Sequence, residues 1–325
     1  MSIDGLDPEI RKDEALLGRV RAVAVAVLSR HGDDLALAQP TNGWVNPGWL
    51  TDRHAVRVGL VPAQRRLHRE AAVGRALPAE VGYPEIVEVG VIDGHEYLLT
   101  RRIEGTDLAA VWATLTPTVR ADALRQMWDL ADAVHRTSLG APKIAELGSS
   151  PFYADTPADA FDALNAVHAA GLFTTSEAST LAMQVERFYA RRPEVPAVLN
   201  HGDLYIGNAL WNGRKVVSLL DFEFAVTAPM ELDLNELAKH VFGPDTAHEG
   251  ESSLSPEQRT LRDVASRSQL DAVLLVGYSI LLETWFTRRE LHRRTLDEVR
   301  ATDSYQRLVA LADGEGGYLA PMLRT

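Results

Sequence analysis

The chain has 325 residues, 46% of them hydrophobic and 24% charged, a globular composition longer than one hydrophobic core usually spans, which predicts two lobes. A net charge of -12 argues against general nucleic-acid binding, which needs a concentrated basic face, and the absence of cysteine excludes disulfides, zinc-thiolate sites and a cysteine nucleophile. No run approaches the roughly 18 uncharged apolar residues of a membrane span, and the acidic, polar residues 1–12 are unlike a signal peptide, so a cytoplasmic protein without nucleic-acid or membrane partners is expected.

In chain order, a short helix is expected over residues 9–17. Residues 22–28, apolar and valine-rich and closed by Arg30-His31-Gly32-Asp33-Asp34, read as a strand and turn, with residues 34–38 as an ambiguous second strand. Residues 41–48, rich in glycine, asparagine and proline, form a loop feeding the strand 54–58, whose alternation puts Ala55 and Arg57 on one face. Residues 62–77 read as a helix opened by proline. Residues 87–91 and 97–100 flank Asp93-Gly94, a strong hairpin signal.

The character changes beyond Gly105. Residues 106–137 read as one helix, 139–157 as a connector, and 158–170 and 176–190 as further helices. An apolar strand at 195–199 delivers His201-Gly202-Asp203 into a loop. If Asn212-Gly213 is a two-residue type I′ turn between strands 209–211 and 214–220, residue 211 faces 214 and residue 221 falls opposite 204. A helix starting in 229–242, a polar acidic loop at 243–255 and long helices over 256–296 complete the chain. Asp233 reads as a helix N-cap, and the aromatic run 278–286 as helix core.

The stretch 199–225 carries the chemistry. Asp203, Asn208 and Asp221 bring two carboxylates and an amide toward one another, a donor set that suits a hard cation such as Mg²⁺, which takes its remaining ligands from water and substrate phosphates. The spacing Asp-x₄-Asn reproduces the kinase catalytic loop, where the Asp accepts the proton of the attacking hydroxyl and the Asn holds metal, with a later Asp taking the bridging metal.

His201-Gly202-Asp203-Leu204-x₃-Asn208 followed by Leu220-Asp221-Phe222-Glu223 resembles the aminoglycoside phosphotransferase family, related to the choline kinases and sharing the protein-kinase-like fold. The resemblance implies a two-lobed α+β fold, with a small β-rich nucleotide-binding lobe over residues 1–104 and a larger, mostly helical catalytic and acceptor-binding lobe over 105–325. It implies Asp203 as catalytic base, Asn208 and Asp221 as metal ligands, His201 as a support of the loop, and ATP or GTP with Mg²⁺ as phosphoryl donor. Tyr205 stands where the family often has histidine. On the nucleotide side, Arg57 would reach the phosphates from its strand and Glu70 would position it, although alone this could be an ordinary surface ion pair. Asn46 belongs to the loop expected to cover the phosphates, and Thr100, Arg101 and Ile103 to the hinge expected to pair with the purine. Glu223 is either an aid to the metal site or a structural hydrogen-bond partner. Glu249, Glu251 and Glu283 are the acidic residues expected to meet a polar or cationic acceptor. The implied reaction is phosphorylation of a hydroxyl on an antibiotic-like natural product, with a metabolic kinase for a sugar, amino alcohol or amino acid, a nucleotide-binding pseudokinase and a metal-dependent hydrolase as the alternatives.

Overall fold

The computed structural model describes residues 12–41, 46–62, 64–138, 140, 147–244 and 253–323. The strand expected over residues 22–28 is instead the second half of a helix, α1 (Glu14–Arg30), capped by the Asp13 carboxylate on the amide of Leu16 at 2.9 Å. Burial explains the difference. Val20, Val23, Ala24, Val27 and Leu28 are sealed while Ala22, Val25 and Ala26 face out, a spacing of three and four that a strand cannot produce. Residues 35–37 form a 3₁₀ turn rather than a second strand, because the Asp34 side chain caps the amide of Ala36 at 2.8 Å.

Five strands follow, β1 (Gln39–Pro40), β2 (Gly48–Leu50), β3 (His54–Val58), β4 (Ile86–Ile92) and β5 (His95–Arg101), in the antiparallel order β1-β2-β3-β5-β4. The Asp93-Gly94 turn is as expected, both residues at positive φ (50° and 83°). Val56 faces Leu99 across the ladder and Arg57 faces Leu98. Alternation then divides the sheet: Val56, Val58, Tyr97 and Leu99 pack with α1, whereas Leu98 packs with Leu67 and Ala71 of helix α2 (Arg66–Gly74). Arg57 shares the α2 face with Leu98, which decides what it can touch. Helix α2 starts four residues later than expected, after Arg65 in a left-handed conformation (φ 56°).

Asp33 pins the entry to β3, accepting hydrogen bonds from His54 Nδ1 (2.6 Å), Thr51 Oγ1 (2.7 Å) and Arg53 Nε (3.0 Å). Burial alone would raise its pKa; the bonds from His54, Arg53 and Thr51 outweigh that and hold it at about 2 against an ordinary 3.8. A carboxyl depressed on folding stabilises the protein above its unfolded pKa and loses that contribution as pH falls toward its folded one. The expected contribution is about 2 kcal/mol at neutral pH. The gap in urea-unfolding stability between wild type and Asp33→Asn should therefore narrow steadily from about pH 5 to about pH 2, and a gap independent of pH would contradict the assignment.

Past Gly105 come β6 (Thr106–Asp107), α3 (Leu108–Trp112) and α4 (Pro117–His135). The single helix expected over 106–137 is broken because Asp107 caps the amide of Ala109 (2.8 Å) and Pro117, having no N–H, can only open a new helix behind Thr116. The rest comprises α5 (Pro157–Ala169), α6 (Thr175–Arg191), β7 (Val198–Asn200), β8 (Ala209–Trp211), β9 (Val216–Leu219), β10 (Val226–Ala228), α7 (Glu231–Val241), α8 (Pro256–Arg267), α9 (Ala272–Leu291), α10 (Leu296–Arg300), α11 (Asp303–Leu311) and α12 (Ala320–Leu323). One large apolar core unites these helices around α9, where Tyr278 packs edge-on against Phe188 and Tyr153. Two small antiparallel sheets, β10-β7 and β6-β8-β9, carry the loops between the helices. The result is a two-lobed α+β architecture, and no helix among the described residues is long and apolar enough to cross a membrane.

Candidate active site

Strand β7 ends at Asn200, and the next two backbone amides, of His201 and Gly202, donate to the Asp233 carboxylate at 2.9 and 3.0 Å. His135 Nε2 reaches the same carboxylate at 3.0 Å, and Asp233 is fully buried. Asp233 is therefore no helix N-cap, as its position suggested: it lies inside the first turn of α7, whose cap residue Met230 makes no side-chain bond, and it anchors the loop from below. The sequence signal was a carboxylate set between the buried leucines 232 and 234. Gly202 takes φ 84°, and a Cβ there would meet the Phe224 carbonyl oxygen at 2.0 Å, so glycine is required for the turn that presents Asp203.

Asn208 sits at the end of the 3₁₀ turn Ile206–Asn208. Its Nδ2 donates to the main-chain oxygen of Asp203 (2.9 Å) and to the Asp203 carboxylate (3.2 Å). The hairpin behind it has a longer turn than expected. Ala209 pairs with Leu219 and Leu210 with Ser218, because Asn212 Oδ1 accepts from the amides of both Arg214 and Lys215 and makes a four-residue loop of 212–215. The shifted register brings Asp221 closer to Asn208 than the two-residue count did: Leu220 N–H donates to Asn208 O at 2.8 Å, and His201 Nε2 donates to Leu220 O at 2.8 Å. His201 is fully buried, its ring lies 4.4 Å from that of Phe222, and burial lowers its pKa, as suits a neutral supporting residue. Asp221 follows in a left-handed conformation (φ 67°, ψ 58°), a strained geometry for a residue with a Cβ.

From the other lobe, Arg57 Nη1 donates to Asp221 at 2.8 Å while Nη2 pairs with Glu70, which is 1% exposed and also accepts from Tyr83 Oη at 2.8 Å. The fork geometry of a guanidinium allows both contacts at once. Asn46 Nδ2 donates to Glu223 at 2.7 Å, tying the end of the 41–48 loop to the turn after Asp221; Asn42 to Val45 lie outside the described residues. Of the expected hinge, Thr100 lies in the β5 ladder and the Arg101 amide already donates to Glu85 O (2.8 Å), so Ile103 is the residue beyond the strand bonds. Burial first, then the charge of Glu236, raises the Asp203 pKa to about 7 against the opposing pull of Lys239; burial and Asp221 raise Glu223 to about 8. Among the described residues no three His, Asp or Glu side chains form a cation site on their own. The chemistry of the set still fits Mg²⁺, because Asn208 uses Nδ2 within the loop and keeps Oδ1 as an acceptor, while its main-chain oxygen is bonded to Leu220, the residue before Asp221.

Residues 41–261 match the model of the phosphotransferase enzyme family, well over half of the chain. The chain belongs to that family. Its fold is that of the kinase-like phosphotransferases: aminoglycoside phosphotransferase APH(4)-Ia, solved with ADP and hygromycin B, aligns over 90% of this chain and 98% of its own at TM-score 0.60 and 16% identity. APH(2'')-Ib with ADP aligns over 93% and 99% (TM-score 0.59, 11% identity), and aminoglycoside 2'-phosphotransferase-IIIa with GDP over 91% and 98% (TM-score 0.60, 14% identity). A comparison with curated protein sequences finds no match. As a member of this family the protein is a kinase-type phosphotransferase acting on hydroxyl groups.

Next to the catalytic loop this phosphotransferase has an open cleft of about 460 Å³, lined among others by Tyr205, Lys239, His240, Phe286, Arg294 and Arg307. Tyr205 packs edge-on against His240, at 5.6 Å between ring centroids. Phe286, at the end of the aromatic run read as core, faces this cleft, and the Lys239 ammonium lies 5.2 Å from its ring centroid while pairing with the buried Glu236. Glu283 does not face an acceptor as expected: it is fully buried on α9 and accepts from Arg307 Nε (2.6 Å) and Nη2 (3.2 Å), while Glu249 and Glu251 lie outside the described residues. Lys239 and Arg307 had no signal in the sequence, because three separate helices bring the lining together. A larger depression of about 660 Å³ between Arg192, Pro196 and Pro229 lies at the opposite end of the β7-β10 sheet from Asp203.

Proposed function

We propose that the protein transfers the γ-phosphoryl group of ATP or GTP to a hydroxyl of a small, antibiotic-like natural product, inactivating it. The observation that carries this reading is the convergence on one side of the hairpin of Asp203, Asn208 and Asp221 with the Arg57–Glu70 pair reaching across from the sheet. Residues 1–104 would hold the nucleotide and residues 105–325 the catalytic loop and acceptor. Asp203 orients the acceptor hydroxyl and takes its proton as the oxygen attacks phosphorus. Asn208 and Asp221 would hold Mg²⁺, which supplies neutralisation of charge on the phosphate oxygens. Arg57, positioned by Glu70, meets the donor phosphates, Asn46 ends the loop over them, and the segment Thr100, Arg101 and Ile103 borders the purine. Since the positions of these groups are fixed before substrate arrives, most of the rate comes from orientation and electrostatics. The test is ADP or GDP release by the purified chain against a panel of hydroxylated antibiotics and metabolites, with Mg²⁺ and each nucleotide. Acceptor-dependent release that chelation of the metal abolishes is expected. Nucleotide consumption indifferent to every acceptor would reject the reading.

A further inference from the structure

Two acids line the acceptor cleft, Glu290, which is engaged, and Asp303, which is exposed. Glu290 accepts from Arg294 Nε at 2.6 Å, and the two buried acids behind the wall, Glu283 and Glu236, are paired with Arg307 and Lys239. Asp303 is the other acid on the lining, and it lies within the field of Arg307. The cations are less completely used. Each guanidinium has five N–H donors and an ammonium three. Arg307 bonds Glu283 through Nε and Nη2, Arg294 bonds Glu290 through Nε, and Lys239 pairs with Glu236 and lies against the Phe286 ring. Glu236 and Glu283 are 1% and 0% exposed, whereas the side chains of Lys239, Arg307 and Arg294 keep 16%, 13% and 51% of their surface. Among the described residues the cleft is therefore offered the outer donors of three cations against one exposed acid, Asp303. The adjoining end of α9 and the turn after it, residues 288–294, carry four arginines against the single Glu290 in a chain whose net charge is -12, and Arg288, Arg293 and Arg294 are exposed.

A polycationic acceptor needs several free carboxylates, and among the described residues this wall offers Asp303 alone; an oxyanion needs spare N–H donors, and this wall has them on three side chains. We infer that the acceptor carries an oxyanion, a carboxylate or a phosphate ester, bound by Arg294, Arg307 and Lys239 while a hydroxyl of the same molecule lies at Asp203. The inference names the substrate class for the phosphotransfer proposed above and rests on that reading. The balance is that of any kinase: the hydroxyl oxygen forms the new bond to the γ-phosphorus, the bond from that phosphorus to the β-γ bridging oxygen breaks, the nucleoside diphosphate leaves, and the hydroxyl proton passes to Asp203 and then to solvent. The flat flank of Phe286 and the ring of Tyr205 complete a site for a ring-bearing acid.

The full chain, saturated with Mg-ADP so that the nucleotide side is filled, is titrated by calorimetry with acetate, inorganic phosphate and spermine. At least one of the two anions is expected to bind and spermine is not; Arg294→Glu, at an exposed position that leaves the fold intact, should weaken the anion about tenfold. Spermine binding more tightly than both anions, or neither anion binding, would overturn the inference. In parallel, ADP release is followed with sugar acids, sugar phosphates, neutral sugars and aminoglycosides. A kcat/KM at least about tenfold higher for one of the acidic sets is expected, and the better set identifies the oxyanion; preference for aminoglycosides overturns it. Anion binding lost in Arg294→Glu together with no turnover of any acceptor would support the cleft assignment and reject phosphotransfer itself.

Discussion

Replacing Asp203 by alanine is expected to lower kcat by about 10²- to 10⁴-fold, the usual worth of a positioned general base, while leaving nucleotide binding in place. The two halves of that expectation have separate structural origins. The base function belongs to the carboxylate, which no neighbour can replace: His201 donates Nε2–H to Leu220 O and is buried, and Asp221 already accepts from Arg57. The metal side, by contrast, survives the truncation. Asn208 is bonded to the main-chain oxygen of Asp203 at 2.9 Å as well as to its side chain, and its own backbone is fixed by Leu220 N–H and Tyr205 O, so its Oδ1 stays where it is. Steady-state kinetics with the best acceptor, alongside thermal shift with Mg-ADP, measures both. A variant turning over within about tenfold of wild type would remove Asp203 from the base role; a variant that had also lost Mg-ADP affinity would mean that its carboxylate serves the metal instead.

The chemistry was legible in the sequence because it is local. Asp203, Asn208 and Asp221 lie within nineteen consecutive residues, and a glycine-bearing loop followed by a hairpin leaves few ways for them to diverge. Even a wrong register did no harm: Asn212 made a longer turn than Asn212-Gly213 promised, and the shift moved Asp221 nearer to Asn208. Arg57 and Glu70 were singled out through the resemblance, and strand alternation, which puts Arg57 on the α2 face, is what lets them pair. The failures have equally physical causes. Residues 22–28 are three alanines, three valines and a leucine, a composition that fits strand or helix; what decided it was the chance to bury Val20, Val23 and Val27 together on the sheet, a tertiary gain invisible to a seven-residue window. The cleft wall was unreadable because its residues come largely from α7, α9 and α11, and because pairing changes their meaning: Glu283 looked like a ligand for cations and proved to be the buried partner of Arg307. Charge seen in sequence gives the sign of a residue but says nothing about which charges are already neutralised.

The same contrast sets up a decisive experiment at Asp233. A helix N-cap is worth about 1 kcal/mol, and its loss would leave catalysis untouched. A carboxylate that is fully buried and accepts from the amides of His201 and Gly202 and from His135 is a different object, since Asp233→Ala would strand three N–H donors in the core. The expected cost is about 3 kcal/mol or more. Activity should fall with it, by about 10²-fold in the folded fraction, because the amides released are those on the two residues immediately before Asp203, and displacement of a catalytic group by about 1 Å is worth that much. Asp233→Asn separates packing from charge. It keeps the volume and one acceptor oxygen, but its amide nitrogen must face an N–H, so it should recover part of the stability and less of the rate. Urea midpoints and kcat measured on the same preparations test this directly. If Asp233→Ala lost only about 1 kcal/mol and kept its kcat, the carboxylate would be a cap after all, and the catalytic loop would have to be held by the β7-β10 pairing and the Gly202 turn alone.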